Sequence, residues 1–437
     1  MAEIRPFRGV RYNQPLVKEL SSVICPPYDI ITPQLGQELY HVSEYNFVRL
    51  EQGRQLPQDT IIDNKYTRSA ATLEQWLKLG ILKVDEAPAV YLHDHYFVHQ
   101  EKQYRRRGII VCVRLEEWDK KVIRPHEGTL AVPGNDRLSL LWALQANTSP
   151  ILALYEDQGK RIASLLALAE QNQPIISLST ATGESHRILA ITEPGVISQI
   201  CASLAHKPLY IADGHHRYES ALTHQRERQA CASSLSGDEG FNFVMMTLVS
   251  FADPGLIILP PHRLVRGISK ASLGGLLAKL SLFFEVEGMP LSTPGVWQRV
   301  DELLVGDADQ VRLILLGLAP ERLYLLRLRD FAATSQMIPY FHCQLYKRLA
   351  VSILDHIILE KLLGLGGGSE EAFLDYSYDK LDAVNRVLNQ EYQLAFLLSP
   401  VKVEAVKAIA DAGDRMPRKS TYFYPKLPAG LVFHRLT

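Results

Sequence analysis

Residues suited to phosphate chemistry are concentrated where a predicted strand meets a predicted helix, in the stretch LYIADGHHRYESAL. An apolar strand ends there, and five residues able to contact a ligand follow in succession: Asp213, Gly214, His215, His216 and Arg217. The start of a helix has unpaired N–H groups that can bind an anion. Gly214 lets the backbone turn sharply, and the planar guanidinium of Arg217 can bind phosphate or carboxylate. The pattern predicts an anion site, and the alternative is a plain turn with surface histidines.

The individual roles at this turn follow from side-chain chemistry. Asp213 could hold a magnesium ion or cap the helix. His215 and His216 are adjacent, so on a helix they point about 100° apart. We therefore expect at most one of the two histidines to face a ligand directly.

A second candidate is the loop RPHEGT, in which Pro125 and Gly128 impose an irregular backbone that presents His126 and Glu127. A carboxylate presented in this way can act as a general base, which contributes about 10²- to 10⁴-fold to a rate. The alternative is a structural turn that carries a surface Glu–Arg pair.

A third candidate is the strand HDHYFVH, where His93, His95 and His99 share one face because side chains alternate along a strand. Metal binding is one interpretation of this spacing. The interpretation we favour is a solvated face, with Tyr96 and Val98 pointing inward.

Two basic segments have the same ambiguity. Arg105–Arg107 lies at the tip of a predicted hairpin, where it could contact a phosphate backbone, and the interpretation we favour is a solvated turn. The segment MPRKSTYFYPK either directs Arg418, Lys419 and Lys426 towards an anion or packs as an extended surface segment.

Strands and helices alternate between residues 151 and 251, which favours a mixed α/β or α+β layer structure. We expect a hairpin of residues 89–99 and 107–115, a helix from Asn135 or Asp136 to about Asn147, and a long helix from His342 to Leu363. Three regions are expected: a mixed N-terminal segment with the hairpin (1–120), a phosphate-binding core (121–255) and a C-terminal α+β region (256–437).

Composition limits the classes of function. The chain has 437 residues, 47% hydrophobic, and a net charge of −1, which argues against a nucleic-acid-binding protein. No apolar run is long enough to span a membrane, and the first residues lack the apolar region of a signal peptide. The five cysteines form no CxxC pair, so neither a disulfide framework nor a cysteine zinc site is expected. We expect a cytoplasmic protein.

Several segments between residues 4 and 426 resemble a family of bacterial and archaeal proteins that is classed only as a domain of unknown function. The segments are IRPFRGVRYN, CPPYDIIT, RPHEGT with DRLSLLWALQANTSPI, YIADGHHRYESAL, LPPHRLV and MPRKSTYFYPK. The resemblance covers nearly the whole chain and implies little about activity.

A more distant resemblance covers about residues 110–230. The segment IADGHHRYESAL is similar to the phosphate-binding box of the ParB/sulfiredoxin-like fold, and free-serine kinases of that fold also have a Pro-His-Glu element upstream. The resemblance implies that Glu127 is the base, next to His126, and that Asp213 contacts metal or substrate. Four residues would contact phosphates: Gly214, His215, His216 and Arg217. Several strands and helices separate the two elements, so the fold must be an elaborated one.

These observations lead to two functional hypotheses. The first is a kinase that uses ATP or ADP with Mg²⁺ to phosphorylate a small hydroxylated metabolite such as serine or a hydroxy acid, with Glu127, His126 and Arg217 as catalytic residues. The alternative is a nucleotide-binding regulatory or switch protein without turnover. No GxxxxGK[ST] motif is present, which excludes a P-loop enzyme. The oligomeric state stays open.

Overall fold

The computed structural model describes residues 2–128, 131–231, 234, 236–305, 310–366 and 370–436. They form a mixed α/β structure, which confirms the predicted fold class. The chain forms two compact units: the first contains residues 1–125, 129–257 and 425–437, and the second contains 126–128 and 258–424. The expected three-part organisation stays a prediction, and most of its first two regions lie in the first unit.

A mixed sheet, nine-stranded among the described residues, lies at the centre of the first unit. Eight of its strands follow one another in the order Ile123–Arg124, Leu209–Asp213, Ile151–Tyr155, Phe243–Ser250, Lys102–Arg114, Val90–His99, Ser185–Ile191 and Ile176–Ser179, and Ile4–Arg5 pairs with Lys102–Arg114. Leu209–Asp213 is parallel to Ile123–Arg124, and Phe243–Ser250 is parallel to Ile151–Tyr155. The other pairs are antiparallel.

Both faces of this first sheet are covered by apolar side chains. Along Lys102–Arg114, Ile109 and Val111 pack in one buried cluster, whereas Ile110 and Cys112 pack in another on the opposite face. A strand with two buried faces has a continuous apolar sequence rather than an alternating one. This explains the run GIIVCV and places Cys112 in the core.

The helices and small sheets of the first unit complete it. Its helices are Pro33–Val42, Val48–Glu51, Lys65–Lys78, Ala131–Leu144, Arg161–Ala169, Pro194–Leu204 and His215–Cys231, and its single 3₁₀ turns are Leu20–Ser22, Tyr28–Ile30, Trp118–Lys120, Gln158–Lys160 and Gly240–Asn242. Val10–Tyr12 pairs with Leu82–Val84, and Ala146–Asn147 pairs with His434–Arg435.

The second unit contains an antiparallel sheet that has six strands among the described residues. They run in the order Phe284–Pro290, Arg322–Leu328, Arg312–Ala319, Leu394–Leu397, His262–Val265 and Leu374–Ser377. The helices are Lys270–Leu280, Val296–Val305, Phe331–Ser335, Gln344–Arg348, Ala350–Ile353, the π-helix Leu354–Leu362, Glu370–Phe373, Lys380–Leu388 and Val403–Asp411. Two short strands are Ile257–Leu259 and Tyr422–Tyr424.

The hairpin is confirmed, but its turn is tighter than predicted. The strands Val90–His99 and Lys102–Arg114 are joined by two residues, Gln100 and Glu101, with φ of 49° and 62°. Positive φ at both positions is what a type I′ turn requires. The polar stretch predicted as a loop is therefore mostly paired strand.

Other predicted boundaries are wrong. The helix expected to begin at Asn135 or Asp136 begins at Ala131. The long helix from His342 to Leu363 is broken at Leu349, whose ψ of 133° is extended. The strand Ile176–Ser179 was not predicted.

Candidate functional site

The turn after the strand Leu209–Asp213 requires glycine at position 214 for two reasons. Gly214 has a φ of +96°, which side-chain-bearing residues rarely adopt. A Cβ placed on it would also lie 3.0–3.1 Å from the guanidinium of Arg217. The helix His215–Cys231 begins directly after it, so the predicted junction of strand and helix is present.

Arg217 lies over this turn and is held by two hydrogen bonds. Its Nη1 donates to the carbonyl of Pro150 (2.6 Å), and its Nη2 donates to Oδ2 of Asp213 (2.7 Å). Its Nε is buried and has no hydrogen-bond partner in the described part of the chain. This Nε–H is therefore a donor that none of the described residues satisfies.

Asp213 connects two cations. Lys426 donates to its Oδ1 and Arg217 to its Oδ2, and Asp29 Oδ2 lies 3.5 Å from Lys426 Nζ. Burial alone would raise the pKa of Asp213, but Lys426 and Arg217 outweigh burial, so this pKa lies well below its usual value. Asp213 is thus a carboxylate in an ion-pair network.

This network bears on the expected magnesium ion. Both carboxylate oxygens of Asp213 already accept a hydrogen bond from a cationic side chain, and a metal ion bound there would have to displace Lys426 or Arg217. The residues therefore do not fit a Mg²⁺ ion held by Asp213.

The two histidines differ in exposure, as their angular separation on a helix predicts. His215 is buried, whereas His216 on the same first turn is half-buried. Of the two, His216 is the more accessible to a ligand.

A cavity of about 40 Å³ adjoins Arg217 in the first unit. It is lined by Glu51, Arg137, Leu140, Leu141, Ala146, Asn147, Thr148, Ser149, Ile151, Arg217, Ser220 and Val244. The fully buried carboxylate of Glu51 accepts hydrogen bonds from the hydroxyls of Thr148 (2.5 Å) and Ser149 (2.6 Å). A cavity of this volume with polar groups in its wall has room for a few waters or a small polar group.

His126 and Glu127 belong to the second unit. Glu127 Oε1 accepts hydrogen bonds from the backbone N–H of Ser420 and Thr421 (3.1 Å each) and from the Thr421 hydroxyl (3.0 Å). Because that hydroxyl donates to Glu127, it accepts from His126 Nε2, 2.9 Å away. The backbone N–H of Met416 donates to the carbonyl of His126.

These contacts fix Glu127 through one oxygen. Within the described residues no donor reaches its Oε2, so this oxygen can accept a proton or a hydrogen bond from a ligand. The segment MPRKSTYFYPK, which the sequence singled out as a wall for an anion, supplies the partners of Glu127.

The structure thus brings the predicted residues together in two groups. Asp213 to Arg217 lie in the first unit with Lys426, and His126 with Glu127 lies in the second. A joint catalytic role for the two groups stays a prediction.

Sequence reasoning missed two residues of the first group. Asp29 gave a signal, since it follows the two prolines of CPPYD, which impose an irregular backbone. Glu51 gave none, because it is a single acidic residue at the end of the short helix Val48–Glu51.

The predicted orientation of the histidine strand is wrong. His93 and His95 are 3% and 1% exposed, whereas Tyr96 and Val98 are 36% and 52% exposed. The arginines of the hairpin do not form a solvated turn either: Arg106 is buried, and Arg107 makes a bidentate pair with Asp94 at 2.7 Å.

The fold and the site define the class of this protein: it is a mixed α/β protein with an ion-paired turn between a strand and a helix. A family model described as "Protein of unknown function (DUF1015)" matches residues 4–352, and the chain belongs to this family. This confirms the resemblance that covers nearly the whole chain. None of the curated proteins compared with the chain matches it.

Solved structures show weaker likenesses, each covering 74% of this chain. A conserved hypothetical protein from Pyrococcus furiosus is 14% identical, with 95% of its chain covered and a TM-score of 0.34. A free serine kinase in complex with AMP is 12% identical, with 92% covered and a TM-score of 0.35. SbnI from Staphylococcus aureus, truncated at its C-terminus, is 10% identical, with 85% covered and a TM-score of 0.33. Likenesses of this size carry no argument about the present chain.

Within the described residues, no helix combines the length and the apolar character that crossing a membrane requires.

Proposed function

We propose that this protein is a nucleotide-dependent phosphotransferase that phosphorylates a small hydroxylated metabolite, such as serine or a hydroxy acid. The observation that carries the proposal is the position of Arg217. Its guanidinium lies over Gly214 at the start of the helix His215–Cys231 and keeps a buried Nε–H without a partner in the described chain.

The phosphates of ATP or ADP would lie at this helix start. The first-turn N–H groups and the positive end of the helix dipole favour a polyanion there. We assign the phosphate contacts to Gly214, His215, His216 and Arg217. Asp213 then has a positioning role, because it holds Arg217 and Lys426 through its two oxygens.

The cavity next to Arg217 supports a small substrate. Its volume of about 40 Å³ suits a compact polar molecule. The Glu51 carboxylate and the hydroxyls of Thr148 and Ser149 offer hydrogen-bonding groups in or beside it.

We assign the general base to Glu127, whose Oε1 is anchored and whose Oε2 is available. In the proposed reaction, the substrate hydroxyl gives its proton to Glu127 while its oxygen bonds to the terminal phosphorus, and the nucleotide leaves with one phosphate fewer. His126 positions the base through the hydroxyl of Thr421. The proposal requires both groups of residues to act on one bound substrate.

The test is an assay of the full chain with ATP or ADP, Mg²⁺ and a panel of hydroxy amino acids and hydroxy acids. We expect Glu127→Gln to abolish turnover but keep nucleotide binding, and Arg217→Ala to lose both. The exposed Glu86→Gln serves as the control. A nucleotide at about 100 times its Kd stabilises a protein by roughly 2.7 kcal/mol, which a melting curve detects. The absence of both turnover and a nucleotide-dependent rise in melting temperature would contradict the proposal.

The alternative is a nucleotide-binding switch without turnover. It is favoured by one observation, namely that the residues assigned to the phosphates all lie in the first unit. A switch needs no Glu127. Nucleotide binding without turnover in the wild type, unchanged in Glu127→Gln, would favour it over the kinase.

A further inference from the structure

The first sheet buries a group of histidines that the proposed function does not use. His95 and His186 lie directly opposite each other on the antiparallel strands Val90–His99 and Ser185–Ile191. His93 lies two residues before His95 on the same face, and Glu184 directly precedes the second strand. All three histidines are buried.

The side chains of this group are close enough to share one ligand. His95 Nε2 lies 2.7 Å from Glu184 Oε2, and the rings of His95 and His186 are 4.2 Å apart between centroids. One ligand atom from each of His95, Glu184 and His186 lies within 4.8 Å of the others. Small shifts of these side chains would bring all three atoms to about 2.0–2.2 Å from a common ion.

We propose that His95, His186 and Glu184 bind a divalent transition metal ion of the zinc type. Two imidazole nitrogens and one carboxylate oxygen form a donor set typical of such ions, whereas Mg²⁺ and Ca²⁺ prefer oxygen alone. His93 is a positioning residue: its Nε2 lies 3.0 Å from His186 Nδ1, which leaves the other ring nitrogen of His186 for the metal.

The protonation of the group suits metal binding. Burial, reinforced by the Arg106 guanidinium, lowers the pKa of His95 to about 2 and that of His186 to about 3. Both imidazoles are therefore uncharged at neutral pH. Glu184 retains 27% side-chain exposure, which gives an ion access from solvent.

Arg106 sets the proton balance of the site. Its Nη2 donates to His95 Nδ1 (3.1 Å) and to the carbonyl of Pro425 (2.7 Å). The hydrogen of His95 is therefore on Nε2, where it points to Glu184. A metal ion at Nε2 would replace this hydrogen and the proton would leave to solvent. The ring would then bind as an imidazolate, whose Nδ1 accepts the hydrogen bond from Arg106.

The test is titration of the chelator-treated full chain with Co²⁺, followed by visible absorption and calorimetry. We expect one ion per chain, with proton release measured in buffers of different ionisation enthalpy. Both His186→Gln and Glu184→Gln should weaken binding at least tenfold. Glutamine at 184 can still accept the hydrogen bond from His95 Nε2, so this variant separates loss of metal from loss of fold.

The control is His224→Gln, because His224 is a buried histidine on a different element, the helix His215–Cys231. It should bind Co²⁺ as the wild type does. The proposal would be overturned if the wild type did not bind Co²⁺ stoichiometrically, or if Glu184→Gln and His186→Gln both bound it as tightly as the wild type. The group would then be a hydrogen-bonded network. The readout does not involve nucleotide, so it is independent of the proposed kinase activity.

Discussion

Asp213 holds Arg217 and Lys426 in place. Replacing Asp213 should therefore show how much these two ion pairs stabilise the folded protein. In Asp213→Asn, both cations lose a charged partner in a largely buried site. We expect a loss of about 1–3 kcal/mol in unfolding free energy at neutral pH, measured by denaturant titration. The exposed Glu86→Gln should stay within about 0.5 kcal/mol of the wild type. An equally stable Asp213→Asn would show that the ion pairs do not stabilise the fold.

The same carboxylate predicts a dependence on pH. The folded-state pKa of Asp213 lies below the usual value of 3.8. A carboxylate with a lowered folded pKa stabilises the protein above its unfolded pKa, and this contribution disappears as pH falls through the folded pKa. The stability difference between wild type and Asp213→Asn should therefore be constant above about pH 5 and shrink in more acidic solution. A difference that grows on acidification would contradict this assignment.

Gly214 gives a second prediction. Alanine at this position would combine a strained φ with a contact against Arg217, so we expect Gly214→Ala to destabilise by about 1–3 kcal/mol. The matched control is Gly274→Ala in the helix Lys270–Leu280, where a Cβ meets nothing within 4 Å. Because an exposed helical glycine gains from alanine, the control should stabilise by about 0.4–1 kcal/mol. If the melting temperatures of Gly214→Ala and Gly274→Ala shifted in the same direction, this prediction would be wrong.

At the level of residues, part of the site could be predicted. Asp213 to Arg217 were found because polar residues follow a buried strand at a turn. The orientation of His93 and His95 was not found, because residues 90–95 are buried on both faces. Alternation tells which side chains share a face but not which face is solvated.

At the level of elements, substitutions in the turn of the hairpin should stabilise the protein. Gln100 and Glu101 both have positive φ, which costs about 1–2 kcal/mol at a residue with a side chain. Replacing them with the type I′ pair by Gln100→Asn and Glu101→Gly should raise stability by about 1 kcal/mol. Glu101→Ala keeps the unfavourable φ and should give no gain. Equal stability of both variants would show that the turn is not strained.

The elements that were predicted correctly have strong local signals. The strand Phe243–Ser250 follows from an apolar run and lies within the predicted alternation of strands and helices between residues 151 and 251. The turn at Gln100-Glu101 has neither glycine nor asparagine, so its sequence does not indicate the turn. The break at Leu349 lies in a sequence without proline or glycine, so it could not be predicted.

At the level of the whole molecule, the last residues complete the first unit. The segment Pro425–Thr437 supplies Lys426 and packs Phe433 against Phe47, with ring centroids 5.4 Å apart. Phe433→Ala should cost about 3–5 kcal/mol, because it leaves a cavity in a closed core. Val98→Ala, at a half-exposed position, is the control. A melting temperature for Phe433→Ala equal to that of the control would show that this segment does not stabilise the unit.

The most direct measurement of the central claim is calorimetric titration with ADP and ATP of the wild type, Arg217→Ala and Arg322→Ala. Arg322 lies exposed on a strand of the second unit, so Arg322→Ala controls for a general loss of positive charge. We predict that the wild type and Arg322→Ala bind equally, and that Arg217→Ala binds at least tenfold more weakly, which corresponds to about 1.4 kcal/mol. No binding by the wild type, or undiminished binding by Arg217→Ala, would contradict the assignment of the phosphate site to the turn at Gly214.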